Sequence, residues 1–581
     1  MLKFFRHPPK SEDLDKKLVL SGARLRLPKF TQLRHLPTLL SAKERWVLQG
    51  AAAFFIIIVA AGLSRLITPH LERVPKPGGV YREALVGSPR FVNPILAGSD
   101  VDRDLSRLIY SGLLMYNSKG ELTGDLAESF TAEDGGRTLK FILRDNLFFH
   151  DGERLEVDDI IFTVKSIQNP AWRSPLWRSF EGIEISSPEP NVILVKTATF
   201  TNSFANLFTV GIIPKHIWEN ADPKEAPLAV WNLKPVGSGP FQFSSFLKSR
   251  DGSIRSYQLA RFTRYYKGAP YIEELVLYFF PDFEGAVNAV REHTVLGVSF
   301  VPERMRGRIP STGVAVIKAD IPRFVGLFFQ DRRAPALREK AVRQALSRAL
   351  DRGAIAALVP DAQPETAPFV EGQIGYARTL LPPAYDLAEA ARLLKEAGWK
   401  KEGAVWKKDQ KPLAVRLTVQ DEPIQLTVAD ALRSAWKKLG VEVTLEAVHK
   451  GAFEQGVLRT RAYEVLLFSF VEGRDGDPYS FWHSTQIDHP GLNLSSLRVR
   501  GIDIALEQAR LATDPEERLD RYLEFQKLFY EEAPGVILYR SPYVYVISKK
   551  VRGVDVKNVA LPADRFVGVH QWYMRSRLGW R

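Results

Sequence analysis

The sequence predicts an α/β body preceded by one N-terminal transmembrane helix. Two observations carry this expectation: a charge-free apolar run at Trp46–Ser64, and a strand–helix–strand pattern over residues 413–445. No repeat of 20–50 residues is evident, so a solenoid or propeller is not expected. The chain has 581 residues, 45% of them apolar and 25% charged, which fits several folded domain-sized units rather than a disordered chain. It contains no cysteine. That excludes disulfide frameworks, thiolate metal sites, cysteine nucleophiles and a lipidated N-terminal cysteine.

The apolar run comes first. Its 19 residues would span roughly 28 Å as a helix, close to the hydrocarbon thickness of a bilayer. Arg45 and Arg65 bracket it, and Trp46 stands where an interfacial aromatic sits. A buried core helix would need a polar face, and none is present. A cleaved signal peptide would carry an unusually long charged region and apolar core. An uncleaved signal anchor over 46–67 is therefore expected, with 1–45 as a basic cytoplasmic tail and the body outside the cell. The tail holds 11 Lys/Arg against 4 Asp/Glu, a net +7. The rest of the chain carries only +6 of the total +13, so nucleic acid is not an expected partner. The tail acts as a topology signal, or it also touches anionic headgroups; both readings stay open. Residues 68–79, ending Val74-Pro75-Lys76-Pro77-Gly78-Gly79, read as a linker.

Several helices are expected in the body. Leu337–Leu350 places Leu337, Ala341, Val342, Ala345, Leu346, Ala349 and Leu350 on one face. Asp386 caps a helix, with Glu389 as capping-box partner and Gly398 closing it. Thr427–Leu439 buries Val428, Leu432, Ala435, Trp436 and Leu439. Asp514-Pro515-Glu516-Glu517 supplies a cap, a first-position proline and an acidic first turn for a helix that ends before Pro534. Leu413–Val419 and Val441–Leu445 alternate as strands on either side of the 427–439 helix, which implies a parallel pair. The region 180–280 is richer in strands, including Val192–Val195 and Leu275–Tyr278.

Enzyme constellations are missing. There is no G-x-x-x-x-G-K-[ST] loop, no G-x-S-x-G elbow and no H-E-x-x-H. Gly237-Ser238-Gly239 reads as a tight turn rather than a phosphate cradle, and His150-Asp151-Gly152 as a turn rather than half a catalytic pair. The ten histidines form no metal-ligand cluster. Neither a cofactor nor a metal is expected. A dispersed active site stays possible in principle, but the balance moves toward binding.

The segments hardest to explain as generic structure run in a fixed order. They include Phe91-Val92-Asn93-Pro94, Leu126-Ala127-Glu128-Ser129-Phe130, Phe149-His150-Asp151-Gly152, Pro214-Lys215-His216-Ile217-Trp218 and Pro235-Val236-Gly237-Ser238-Gly239-Pro240-Phe241. Tyr265-Tyr266-Lys267-Gly268-Ala269-Pro270-Tyr271, Val342-Arg343-Gln344-Ala345-Leu346 and Glu396-Ala397-Gly398-Trp399 come later. From about Gly78 to the C-terminus this order resembles the family 5 extracellular solute-binding proteins of ABC transporters, which serve oligopeptides, dipeptides, nickel and some sugars. The resemblance implies a two-lobed periplasmic-binding-protein-like fold of the large type, with an extra subdomain in lobe 1. Its expected bounds are 80–320 for lobe 1 with the inserted subdomain at about 108–225, 321–540 for lobe 2, and 541–581 returning to lobe 1.

Phe468–His483 (FSFVEGRDGDPYSFWH) is the candidate ligand segment, since ligands bind beyond the carboxyl ends of strands in open α/β sheets. In peptide-binding members of the family this stretch supplies a carboxylate for the peptide's α-ammonium. Asp477-Pro478 matches the acidic-Pro pair that comes after it. Three residues earlier, however, stands Arg474, and Asp475 is displaced by one place. Three readings stay open: Asp475 or Glu472 takes the ammonium; Arg474 receives a carboxylate; or Arg474 and Asp475 pair with each other or solvent. Tyr479 and Trp482 stack on ligand or belong to the core, and Asn93 contacts ligand or forms a turn. The expected function is a monomeric, membrane-anchored receptor of an ABC importer that captures oligopeptides and passes them to permease subunits. The alternatives are the same role for a metal chelate or sugar, a surface-anchored hydrolase, and a non-transport surface protein.

Overall fold

The computed structural model describes residues 41–67, 71–198, 201, 203–370, 373–376, 380 and 382–580; the basic tail up to residue 40 lies outside the described residues. The chain divides into two units, residues 1–75 with 576–581, and residues 76–575.

In the first unit, helix α1 (Ala42–Ile67) is long and apolar enough to cross a membrane. Its side chains are exposed through residue 62, with Phe54, Phe55, Ile56 and Ile57 all about two-thirds accessible, so it is not a core helix. The stretch read as a linker contains a strand, Leu71–Lys76, which pairs with Arg575–Trp580. Its partner lies at the other end of the chain, where local pattern gives no warning.

The second unit is built on two large sheets. The seven-stranded sheet runs Val314–Ala319, Tyr543–Ser548, Gly297–Val298, β1 (Val80–Val86), Glu274–Phe280, Ile254–Arg261, Phe241–Lys248. The six-stranded sheet runs Gln363–Pro364, Gly535–Arg540, Arg323–Phe329, β4 (Val465–Val471), β2 (Ala414–Gln420), β3 (Glu442–Val448). The chain leaves the first sheet after Ala319, enters the second at Arg323, and returns between Arg540 and Tyr543. A four-stranded antiparallel sheet is drawn from residues 127–196, and its Phe141, Ile193 and Val195 join the same apolar cluster as Tyr81 and Trp572.

The middle of the second sheet is covered on both faces, and its strands Arg323–Phe329, Gly535–Arg540 and β4 are accordingly apolar almost without a break. Side chains alternate across a strand. Val325, Leu327 and Phe329 pack on one side with Leu346 and Trp436, while Phe324 and Phe328 pack on the other with Trp482 and Phe525. β2 and β3 are parallel, with Val415 opposite Val443, and are joined by a helix as the pattern required. That helix spans Pro423–Leu439, four residues longer at its start than expected, because Pro423 occupies the first position. Val428, Leu432, Trp436 and Leu439 are buried. Asp386 and Asp514 cap their helices by accepting from the N–H groups of Glu389 (2.9 Å) and Glu517 (3.1 Å).

In the first-sheet half, helix α2 (Asp100–Ile109) starts at a capping box, in which Ser99 Oγ accepts from Asp102 N at 3.1 Å and the Asp102 carboxylate reaches back to Ser99. Its C-terminal end is packed tightly against the Gly237–Gly239 turn. A Cβ on Gly237 would lie 2.1 Å from the Ile109 carbonyl oxygen, so close approach of two backbones is why glycine stands there.

Candidate functional site

A cleft of about 640 Å³ opens between the two large sheets, within the usual range for a small-molecule site. One wall comes from the carboxyl end of β4 and the loop after it, Val471–Asp475. The other comes from the first-sheet half: Arg103, Ser106 and Arg107 of α2, Tyr110 just after it, then Tyr116, residues from Ser203 to Gly211, and Ala560–Asp564. Ser106 and Arg107 stand three and four residues after Arg103, so the three share a helix face. Asp104, Leu105 and Leu108 of the same helix are buried.

Asp104 explains how α2 is held. Arg565 donates to both Asp104 oxygens at 2.8 Å and to Glu83 Oε1 at 2.7 Å. Glu83 Oε2 also accepts from Tyr81 (2.5 Å) and Tyr545 (2.9 Å). All five side chains are buried. Desolvation raises the Asp104 pKa to about 6 against the pull of Arg565. The double hydrogen bond to a guanidinium, which stays protonated, still makes this an ion pair near neutral pH.

Three contacts join the walls. Arg474 Nη2 lies 2.5 Å from Asp564 Oδ2 as a charge contact without hydrogen-bond alignment. The same guanidinium sits 4.4 Å from the centre of the Tyr116 ring. Ser203 donates to Asp475. Asp564 is itself fixed by the N–H groups of Ala560 (2.9 Å) and Leu561 (2.8 Å).

Glu472 borders the cleft at 1% exposure with neither carboxylate oxygen hydrogen-bonded among the described residues. Burial, then the negative charges of Asp477 and Asp475, push its pKa well above the carboxylate range. The Tyr110 hydroxyl is likewise buried and unpartnered, and burial raises its pKa.

The six residues singled out from sequence fall in different places. Arg474 and Asp475 line the cleft. Asp477 accepts from Arg510 Nε at 2.6 Å and from Tyr479 N at 3.1 Å. Burial raises its pKa, opposed chiefly by Arg510. Tyr479 stacks on His483 at 4.1 Å under the Arg510 guanidinium. Trp482 is 3% exposed, stacked on Phe328 at 5.3 Å and edge-on to Phe529 at 4.7 Å. Asn93 is fully buried and accepts from Ile95 N at 3.1 Å in a turn, next to Pro94, which does border the cleft. Sequence reasoning missed Arg103, Arg107, Tyr110, Tyr116 and Asp564. The Ser99-x-x-Asp102 box with arginines at 103 and 107 was the one local signal for the first three.

Comparison with known proteins places this geometry. A model of the bacterial extracellular solute-binding proteins, family 5 Middle, matches residues 121–489. The oligopeptide-binding protein AppA of Bacillus subtilis is 25% identical over 512 residues, covering 86% of this chain and 92% of that protein. Its structure in complex with a nonapeptide aligns with a TM-score of 0.68 at 22% identity, over 86% of this chain and all of that one. The substrate-binding protein CtaP of an ABC transporter from Listeria monocytogenes aligns with a TM-score of 0.75 at 24% identity, with the same coverage. The fold is that of the two-lobed periplasmic binding proteins, each large sheet forming the centre of a lobe.

Proposed function

The chain belongs to the bacterial extracellular solute-binding proteins of family 5, and we propose that it is a membrane-tethered peptide receptor of an ABC importer. The observation that carries this reading is the cleft, about 640 Å³, walled by both lobes and bridged by side chains from each. Such a site encloses its ligand by lobe closure, and the two short crossings at 320–322 and 541–542 are where a hinge would bend. Relatives described as oligopeptide- and dipeptide-binding proteins support a peptide ligand. An extended peptide would be held largely through backbone hydrogen bonds, with modest demand on side-chain identity.

In this reading α1 remains as an anchor, the basic tail is cytoplasmic, and the body stands outside the membrane within reach of permease subunits. The protein acts by capture and release, not turnover. Arg474 and Asp475 are the proposed cleft residues of the ligand loop; Asp477, Tyr479, Trp482 and Asn93 shape that loop and its surroundings. Isothermal calorimetry with a library of peptides of two to nine residues tests the ligand class. Micromolar or tighter binding is expected; no heat from peptides beside a clear signal from another solute class would overturn it.

A further inference from the structure

We infer that the two-stranded ribbon formed by Leu71–Lys76 and Arg575–Trp580 is a lipid-binding surface, whose basic side chains engage anionic phospholipid headgroups of the bilayer that α1 crosses. The inference rests on the tether reading above.

Only residues 68–70 separate the end of α1 at Ile67 from the ribbon at Leu71. A fully extended chain covers at most about 14 Å over those steps. The headgroup layer begins where the apolar run of the helix stops, so covalent connection alone keeps the start of the ribbon close to the bilayer surface. Pairing brings the last described strand to the same place. A Cβ on Gly579 would lie 2.7 Å from Val74 Cγ2, so these two residues face each other across the ribbon. Gly78 meets the Arg575 side chain in the same way. The strands are therefore antiparallel, and Trp580 falls opposite Arg73, at the end nearer α1.

The twelve residues of the ribbon hold four basic side chains, Arg73, Lys76, Arg575 and Arg577, against Glu72 alone. That net +3 is half of the +6 carried by all residues after 45. All four basic residues are exposed. Cations clustered beside a bilayer attract anionic headgroups, each adding to the pull. Tryptophan, at position 580, is the residue type enriched at the water–lipid boundary. No third strand joins the ribbon among the described residues, and a lone strand pair is marginal in water. A headgroup layer gives it a second surface to rest on. Pairing in turn fixes the backbone that carries the cations, so binding costs less ordering than it would for a loose linker.

The test uses the full chain in nanodiscs of phosphatidylcholine, alone or mixed with phosphatidylglycerol. A bimane dye at Ser576→Cys reports contact with headgroups that carry a spin-label quencher. Ser576 is exposed on the ribbon, and the chain has no cysteine of its own. At low salt, quenching in the anionic discs is expected to exceed that in the neutral discs about twofold or more. It should return to the neutral level near 1 M salt, where the Debye length is about 3 Å. Arg73→Gln together with Arg577→Gln is expected to abolish the anionic excess at an unchanged melting temperature. Proximity without binding gives equal quenching in both discs, and that result overturns the inference. An anionic excess that survives high salt or the double substitution overturns it as well. A chain that does not enter the discs fails the tether reading and this inference together, whereas incorporated chain with equal quenching fails the inference alone.

Discussion

Trp482 and Arg474 belong to one short segment, yet Trp482 is part of the apolar core and Arg474 lines the cleft. Trp482 lies between Phe328 and Phe529, and a Cβ on Gly535 would come within 2.8 Å of its ring. Trp482→Ala should therefore cost about 3–5 kcal/mol of stability, read by urea unfolding. Trp482→Phe should recover much of that loss, while the affinity of protein that remains folded should be little changed. His150 offers a second residue-level test. Gly237 N donates to its Nδ1 (3.2 Å) and its Nε2 faces the Gly239 carbonyl (3.1 Å), an arrangement the neutral Nε2–H tautomer satisfies on both sides. Burial lowers its pKa to about 4, against weaker opposing effects of the Gly239 hydrogen bond and Asp151. Because the folded value lies below the unfolded value of 6.5, its contribution is complete above pH 6.5 and is lost as pH falls toward 4. The loss is at most about 3 kcal/mol, less for the part of the ring that meets solvent. Melting temperature should fall between pH 7 and pH 5, and His150→Gln should flatten that slope; parallel slopes would remove His150 from the account.

Among elements, the segment Pro562–Phe566 ties the cleft to the core. Asp564 faces Arg474 of the other lobe, and its neighbour Arg565 is locked into Glu83 and Asp104. Arg565→Met strands two buried carboxylates and should cost about 3–5 kcal/mol. Arg474→Gln leaves Asp564 with its two N–H donors, so the fold should survive, with less bias toward closure. Small-angle scattering of the ligand-free protein should show that variant more expanded; identical curves would deny the contact a role in closure. How much of this was legible in sequence depended on distance along the chain. The caps at Asp386 and Asp514 and the β2–helix–β3 unit rest on neighbours within a few residues, and the pattern revealed them. Glu83, Asp104 and Arg565 meet across more than 460 residues, so no spacing announces them. Arg474 was legible as a departure from its family, but its partner Asp564 was not.

On the scale of the whole molecule, the proposed receptor takes the two short crossings between the sheets as its hinge and α1, long and apolar enough to cross a membrane, as its tether. Full-length chain expressed in cells should remain with membranes after alkaline carbonate extraction, with its body open to external protease. Release into the soluble fraction would instead indicate a cleaved leader. Hinged capture is the more central claim, and the chain's lack of cysteine makes it directly measurable. Donor and acceptor dyes at Glu128→Cys and Lys437→Cys, both exposed and on different lobes, would report lobe separation without background labelling. Titration with a bound peptide should raise transfer efficiency saturably, with a midpoint equal to the calorimetric Kd. Unchanged efficiency at saturating peptide would show a rigid body and contradict capture by closure.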